Sequence, residues 1–118
     1  MEEVELYKIY FTITIGESEV VATHIIAAKS YDEANRYGDR TAAEENAWTV
    51  GYDEDMVEKL SDTLDNGDED DIADTVATLE ELAESIGKVW RYEDIEKYDY
   101  VVYNKRKYNI VLEASDEI

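Results

Sequence analysis

Between Tyr7 and Ile15 apolar and polar residues alternate. Tyr7, Ile9, Phe11, Ile13 and Ile15 fall on one side, and Lys8, Tyr10, Thr12 and Thr14 on the other. A period of two sustained over this stretch predicts a strand with one buried face. Gly16-Glu17-Ser18 predicts a turn, and Val20 to Ala28, rich in β-branched residues, the returning strand. The doublets Val20-Val21 and Ile25-Ile26 leave open which face of that strand is buried. Ser30 and Glu33 then form a capping box, S-x-x-E. Ala34, Tyr37, Gly38, Thr41, Ala42 and Trp48 follow at helical spacing, so a helix is expected from about Tyr31 to Ala47.

The next two elements are also helical. Asp53 is placed to cap a helix with Met56, Val57, Leu60 and Leu64 on one side. Asn66-Gly67 is expected to end it, because both residues tolerate left-handed backbone angles. Asp68 caps a further helix with the stripe Ile72, Val76, Leu79, Ala83 and Ile86, and Gly87 stops it. The last third returns to strands. Val89 to Tyr92 reads as a short one, and Tyr98 to Tyr103 with Lys107 to Glu113 as a hairpin turning near Asn104-Lys105. The order β-β-α-α-α-(β)-β-β predicts an α+β fold. Its antiparallel sheet, an N-terminal hairpin plus a C-terminal hairpin, packs against about three helices, two of them strongly acidic. No proline, Gly/Ser linker or internal repeat divides the chain, so residues 1–118 read as a single domain.

Composition supports a packed core and narrows the chemistry. The 118 residues are 44% hydrophobic, with ten Tyr, two Trp and one Phe, which argues against disorder. The absence of cysteine excludes a disulfide framework and a thiolate metal site. The opening MEEVELYK has no charged-then-apolar leader, and no run of eighteen apolar residues occurs. The expectation is a cytoplasmic protein of an infected or host bacterial cell, with no membrane partner. A strongly anionic chain is also repelled by free DNA and RNA, so no direct nucleic-acid binding is expected.

Charge changes the picture most. The formal net charge is −20, and residues 53–84 hold fourteen acids against one base, Lys59. The excess is therefore a block and not a general property of the surface. Clustered acids at helix starts are favoured by the helix dipole, which accounts for Asp53 to Asp55 and Asp68 to Asp71. It leaves Glu58, Asp62, Asp65, Asp74, Glu80, Glu81 and Glu84 without that explanation.

Catalytic signals are weak. His24, the single histidine, lies inside a predicted strand and reads as structural. Carboxylates are too abundant for any one pair to point to a catalytic site. The calcium-loop pattern fails at two ligand positions: with Gly67 as its glycine, Leu64 and Ala73 stand where ligands belong. The five glycines are too widely spaced for a phosphate loop. No catalytic residue, metal site or cofactor is expected, and the protein is read as a non-enzyme. Lys105-Arg106-Lys107 reads as a solubilising turn or a charged guard on an edge strand. Tyr92, Tyr98, Tyr100, Tyr103 and Tyr108 with Trp90 read as cross-strand packing. The tyrosine-rich hairpin could also serve as the interface of a homodimer, a state the sequence leaves open.

The expected site is a partner-binding surface. Glu54, Glu58, Asp62 and Asp65 recur at helical spacing in one stripe, and Asp70 and Asp74, extended by Glu81 and Glu84, in a second; Glu80 is counted with them as a partner-binding residue. Four helical residues rise about 6 Å, so charges along a stripe approach the separation of successive phosphates on one strand. Two such helices, packed side by side through their Leu and Val stripes, would present two rows of carboxylates to a basic groove. In size, charge, lack of Cys and Pro and its acidic helical block Asp53–Glu84, the chain resembles the acidic DNA-mimic class of small phage and mobile-element inhibitor proteins. The opening ITIGESEVVATHIIAAKSYDEA is similar to a generic β-β-α opening of small phage and mobile-element proteins, which implies no activity. The resemblance implies a non-enzymatic inhibitor that occupies the DNA-binding groove of a basic nucleic-acid-binding host protein, with an anti-restriction, anti-CRISPR or nucleoid/transcription target. Two alternatives stand beside it. One is an acidic interaction module or adaptor that does not compete with DNA. The other is a halophile-adapted domain, which would unfold in low salt.

Overall fold

The computed structural model describes residues 4–102, with side chains over 4–97. The described chain is α+β: β1 (Val4–Ile15), β2 (Ser18–Ala28), α1 (Tyr31–Val50), α2 (Glu54–Asn66), α3 (Glu69–Ile86) and β3 (Lys88–Val102). The strands form one antiparallel sheet in the order β2-β1-β3, so the first strand is the central one.

The hairpin turns at Gly16, whose φ of 60° is open to glycine at little cost. Its N–H donates to the Gly87 carbonyl at 3.0 Å, joining the hairpin tip to the start of β3. β1 then decides the faces. Tyr7, Ile9 and Phe11 are buried, and Lys8, Tyr10 and Thr12 lie on the outer side. Pairing Phe11 with Ala22, Ile9 with His24 and Tyr7 with Ile26 resolves the β2 doublets. Ile26 joins the core, whereas Val21 and Ile25 share the outer face with Thr12 and Lys8. A slip of one residue would exchange the two sets, so burial of one face holds the register.

α1 is the keystone of the helical layer. Ala34 and Ala42 pack on Tyr7, Ile9 and Phe11 of the sheet, and Ala43 and Ala47 meet Leu60 and Leu64 of α2 and Leu79 of α3. Its buried side chains are small, which lets its backbone approach both partners. Gly38 marks the closest approach: a Cβ there would stand 2.7 Å from the Tyr92 ring. That ring is held from the other end, its hydroxyl donating to Asn35 Oδ1 at 2.7 Å. Burial of Ile9 or Phe11 contributes about 1.5–3 kcal/mol each relative to exposure. Asn46, the one buried polar residue among those described, reaches β3: Oδ1 accepts from Trp90 N–H at 2.7 Å, and Nδ2 donates to Trp90 O at 2.9 Å.

Several expectations need correction. β3 runs unbroken, without the gap expected between Tyr92 and Tyr98, because Ile95 continues the core face and two register shifts against β1 absorb the irregularity. The second half of the expected hairpin, Lys107 to Glu113, lies outside the described residues, as does Lys105-Arg106-Lys107. α2 does not end in a left-handed residue: Gly67 has φ −73° and ψ 166°, and glycine is needed because a Cβ would lie 2.5 Å from the Thr63 carbonyl oxygen. Trp48, expected on the apolar side of α1, is 50% exposed. Lastly, α2 and α3 do not pack side by side; each packs mainly on α1 and they touch each other only lightly.

Candidate functional site

The acidic helices begin as their sequences require. Asp53 accepts from Met56 N–H at 2.9 Å, and Asp68 from Asp71 N–H at 2.8 Å. Glu54 and Asp55 occupy the first turn of α2, and Glu69, Asp70 and Asp71 that of α3, where the helix dipole favours them.

The nine expected site residues divide into two groups. Glu54, Glu58 and Asp62 on α2, and Asp70, Asp74 and Glu81 on α3, are exposed and form no ion pair among the described residues. The other three are engaged. Asp65 pairs with Arg40 at 3.0 Å, and its carbonyl oxygen accepts from Arg36 at 3.1 Å. Glu84 pairs with Arg91 at 3.1 Å. Glu80 is half-buried. Exposed pairs of this kind contribute about 0–1 kcal/mol each, so they orient the helices more than they stabilise them. α1 therefore sets the spacing between the two carboxylate rows.

Between α1, α3 and the end of α2 lies a groove of about 480 Å³. Asp32 and Asp39 of α1 and Glu69 and Glu80 of α3 line it, with Arg36 as the cation in its wall. Burial pushes the Asp39 carboxyl above its ordinary range. Burial does the same to Glu80, which Glu93, Asp39 and Glu84 raise further while Arg91 pulls it down. Asp39 lies outside the acidic block and is not among the residues expected from the sequence. The available signal was its place directly after Gly38, on the border of the apolar side of α1.

The two raised carboxyls set a pH dependence. Each holds its proton more tightly in the folded chain than in the unfolded one. The folded state therefore binds more protons between the ordinary values of 3.8 and 4.5 and the raised ones, and stability falls as pH rises through that window. Glu5 acts oppositely. Hydrogen bonds from Tyr7 and then Lys97 lower its pKa, so its contribution is present above 4.5 and lost as pH falls through the lowered value. D39N/E80Q removes the first effect. We expect the double variant to melt at a higher temperature than the parent at pH 7, with the gap closing as pH falls toward 4.5. An equal or lower melting temperature at pH 7 would contradict the burial penalty.

His24 sits among aromatic side chains. Its ring lies 5.0 Å from Phe11, and Nδ1 is 2.8 Å from the Tyr37 hydroxyl. Among the described residues no group of three or more His, Cys, Asp or Glu is arranged to hold a metal ion. No described helix is long and apolar enough to cross a membrane. Comparison with protein-family models, with curated proteins and with solved structures returns no match.

Proposed function

We propose that this protein is a non-enzymatic inhibitor that mimics nucleic acid and occupies the basic groove of a nucleic-acid-binding host protein. The observation that carries this reading is the set of six exposed carboxylates on α2 and α3 that no described cation neutralises: Glu54, Glu58, Asp62, Asp70, Asp74 and Glu81. Leaving so much like charge on two neighbouring helices costs stability through self-repulsion. A basic partner relieves that cost on binding, and long-range attraction speeds the encounter. Restriction enzymes, CRISPR effectors and nucleoid or transcription proteins all offer such grooves.

A second reading has its own support. Because α1 holds the two acidic helices apart, their rows need not follow the strand spacing of a duplex. An interaction module that binds a basic surface other than a DNA channel uses the same charges. One experiment tests the mimic and separates the two. Immobilised protein is expected to retain one or a few basic nucleic-acid-binding proteins from a bacterial lysate. Added salt releases them, because screening shortens to about 3 Å at 1 M. Excess duplex DNA releases them under the mimic reading alone. A captured partner that still binds DNA normally while held would exclude competition.

A further inference from the structure

We propose that the groove between α1 and α3 receives an arginine side chain of the partner, its methylene stem over Leu64, Ile72 and Val76 and its guanidinium between Asp39 and Glu80. The inference rests on the basic partner proposed above and assigns it a subsite.

The groove joins two features that a single chemistry satisfies. Its lining combines the aliphatic side chains of Leu64, Ile72 and Val76 with carboxylates from both α1 and α3. A long side chain with an apolar stem and a cationic head matches that combination, whereas a metal ion or an inorganic cation uses only the carboxylates. The cations nearby are already turned elsewhere. Arg36, although in the wall, donates to the Asp65 carbonyl oxygen at 3.1 Å, Arg40 pairs with the Asp65 carboxylate, and Arg91 pairs with Glu84. Asp39 and Glu80 are left without an ion pair among the described residues, in a place where burial disfavours their charged forms. A guanidinium is less strongly hydrated than an ammonium and presents a planar fork of donors, so it suits a partly desolvated pair of carboxylates better than lysine does.

The test uses the whole chain and the capped tripeptide acetyl-Gly-Arg-Gly-amide, followed by backbone amide NMR. Shifts are expected at α1 residues 35–39 and α3 residues 73–80, and affinity is expected to fall about tenfold in D39N/E80Q. The lysine tripeptide should bind more weakly, and the norleucine tripeptide should not bind. A77R, which places the chain's own guanidinium at the groove, should block the peptide even if the double variant folds poorly. Shifts spread equally over Glu54, Glu58 and Asp62 would reduce the effect to general screening and overturn the subsite. So would equal binding of the norleucine peptide, or unchanged binding to both variants. The two proposals fail separately. Peptide seated in the groove with nothing captured from lysate leaves the subsite standing and removes the partner. Lysate capture that D39N/E80Q and A77R leave unchanged removes the subsite alone.

Discussion

Asn46→Leu is expected to lower the unfolding free energy by about 2–4 kcal/mol, since each buried backbone group left unpaired costs roughly 1–3 kcal/mol. Asn46 is fully buried, and its amide answers both the N–H and the carbonyl of Trp90. Leucine fills a similar volume but offers neither partner. The same amide closes β3 at Trp90 against strand addition, on the side turned away from β1. Asn46→Asp makes the test specific. A carboxylate still accepts from Trp90 N–H but cannot donate to its oxygen, and it buries a charge. Protonation restores the donor, so the aspartate variant should regain stability on acidification while the leucine variant should not. Urea midpoints across pH, with amide exchange at Trp90, measure both effects. A loss below about 0.5 kcal/mol for Asn46→Leu would place it among ordinary surface substitutions and deny the bridge its role.

The second large effect concerns binding. Reversal of Glu58, Asp62, Asp74 and Glu81 to Lys moves the formal net charge from −20 to −12, since each change removes two negative units. All four side chains are exposed and unpaired among the described residues, so the melting temperature should hold or rise. Capture of the basic partner should fall by roughly a hundredfold or more at low salt, because both attraction and steering are lost. Matched double variants separate position from net charge. Asp62→Lys with Asp74→Lys and Glu17→Lys with Glu19→Lys change the charge equally, but the second pair lies at the hairpin. Equal loss from both pairs would mean that total charge, and not the helical rows, attracts the partner.

How much of this was legible in advance varied with the range of the interaction. Helix boundaries depend on neighbours, and Ser30, Asp53 and Asp68 each cap where the sequence placed them. The alternation in β1 likewise announced its buried face. Gly67 does stop α2, but a close approach to the Thr63 carbonyl, and not a left-handed angle, demands glycine there. Of the expected site, the exposed rows were visible as periodic acids. The pairing of Asp65 and Glu84 was not, because Arg40 and Arg91 come from other elements, and neither was the half-burial of Glu80. Asp39 was legible only in part: its place after Gly38 marks the border of the apolar side of α1, but the helix that walls the groove with it lies some forty residues later in the chain.

By itself the sequence determined the types and order of the described elements, their caps and the concentration of charge on two helices. These follow from backbone propensity, side-chain periodicity and the dipole of each helix, all of which act within a turn or a hairpin. Tertiary structure decided that β1 is central, that β3 pairs with it and is closed by Asn46, and that α2 and α3 are separated by α1. It also decided that two carboxyls face a groove. Each of these depends on which surfaces fit when distant segments meet. Small residues at 34, 38, 42, 43 and 47 let α1 approach the sheet and both acidic helices at once. That packing turned a block of charge in the sequence into two spaced rows and a groove on the surface.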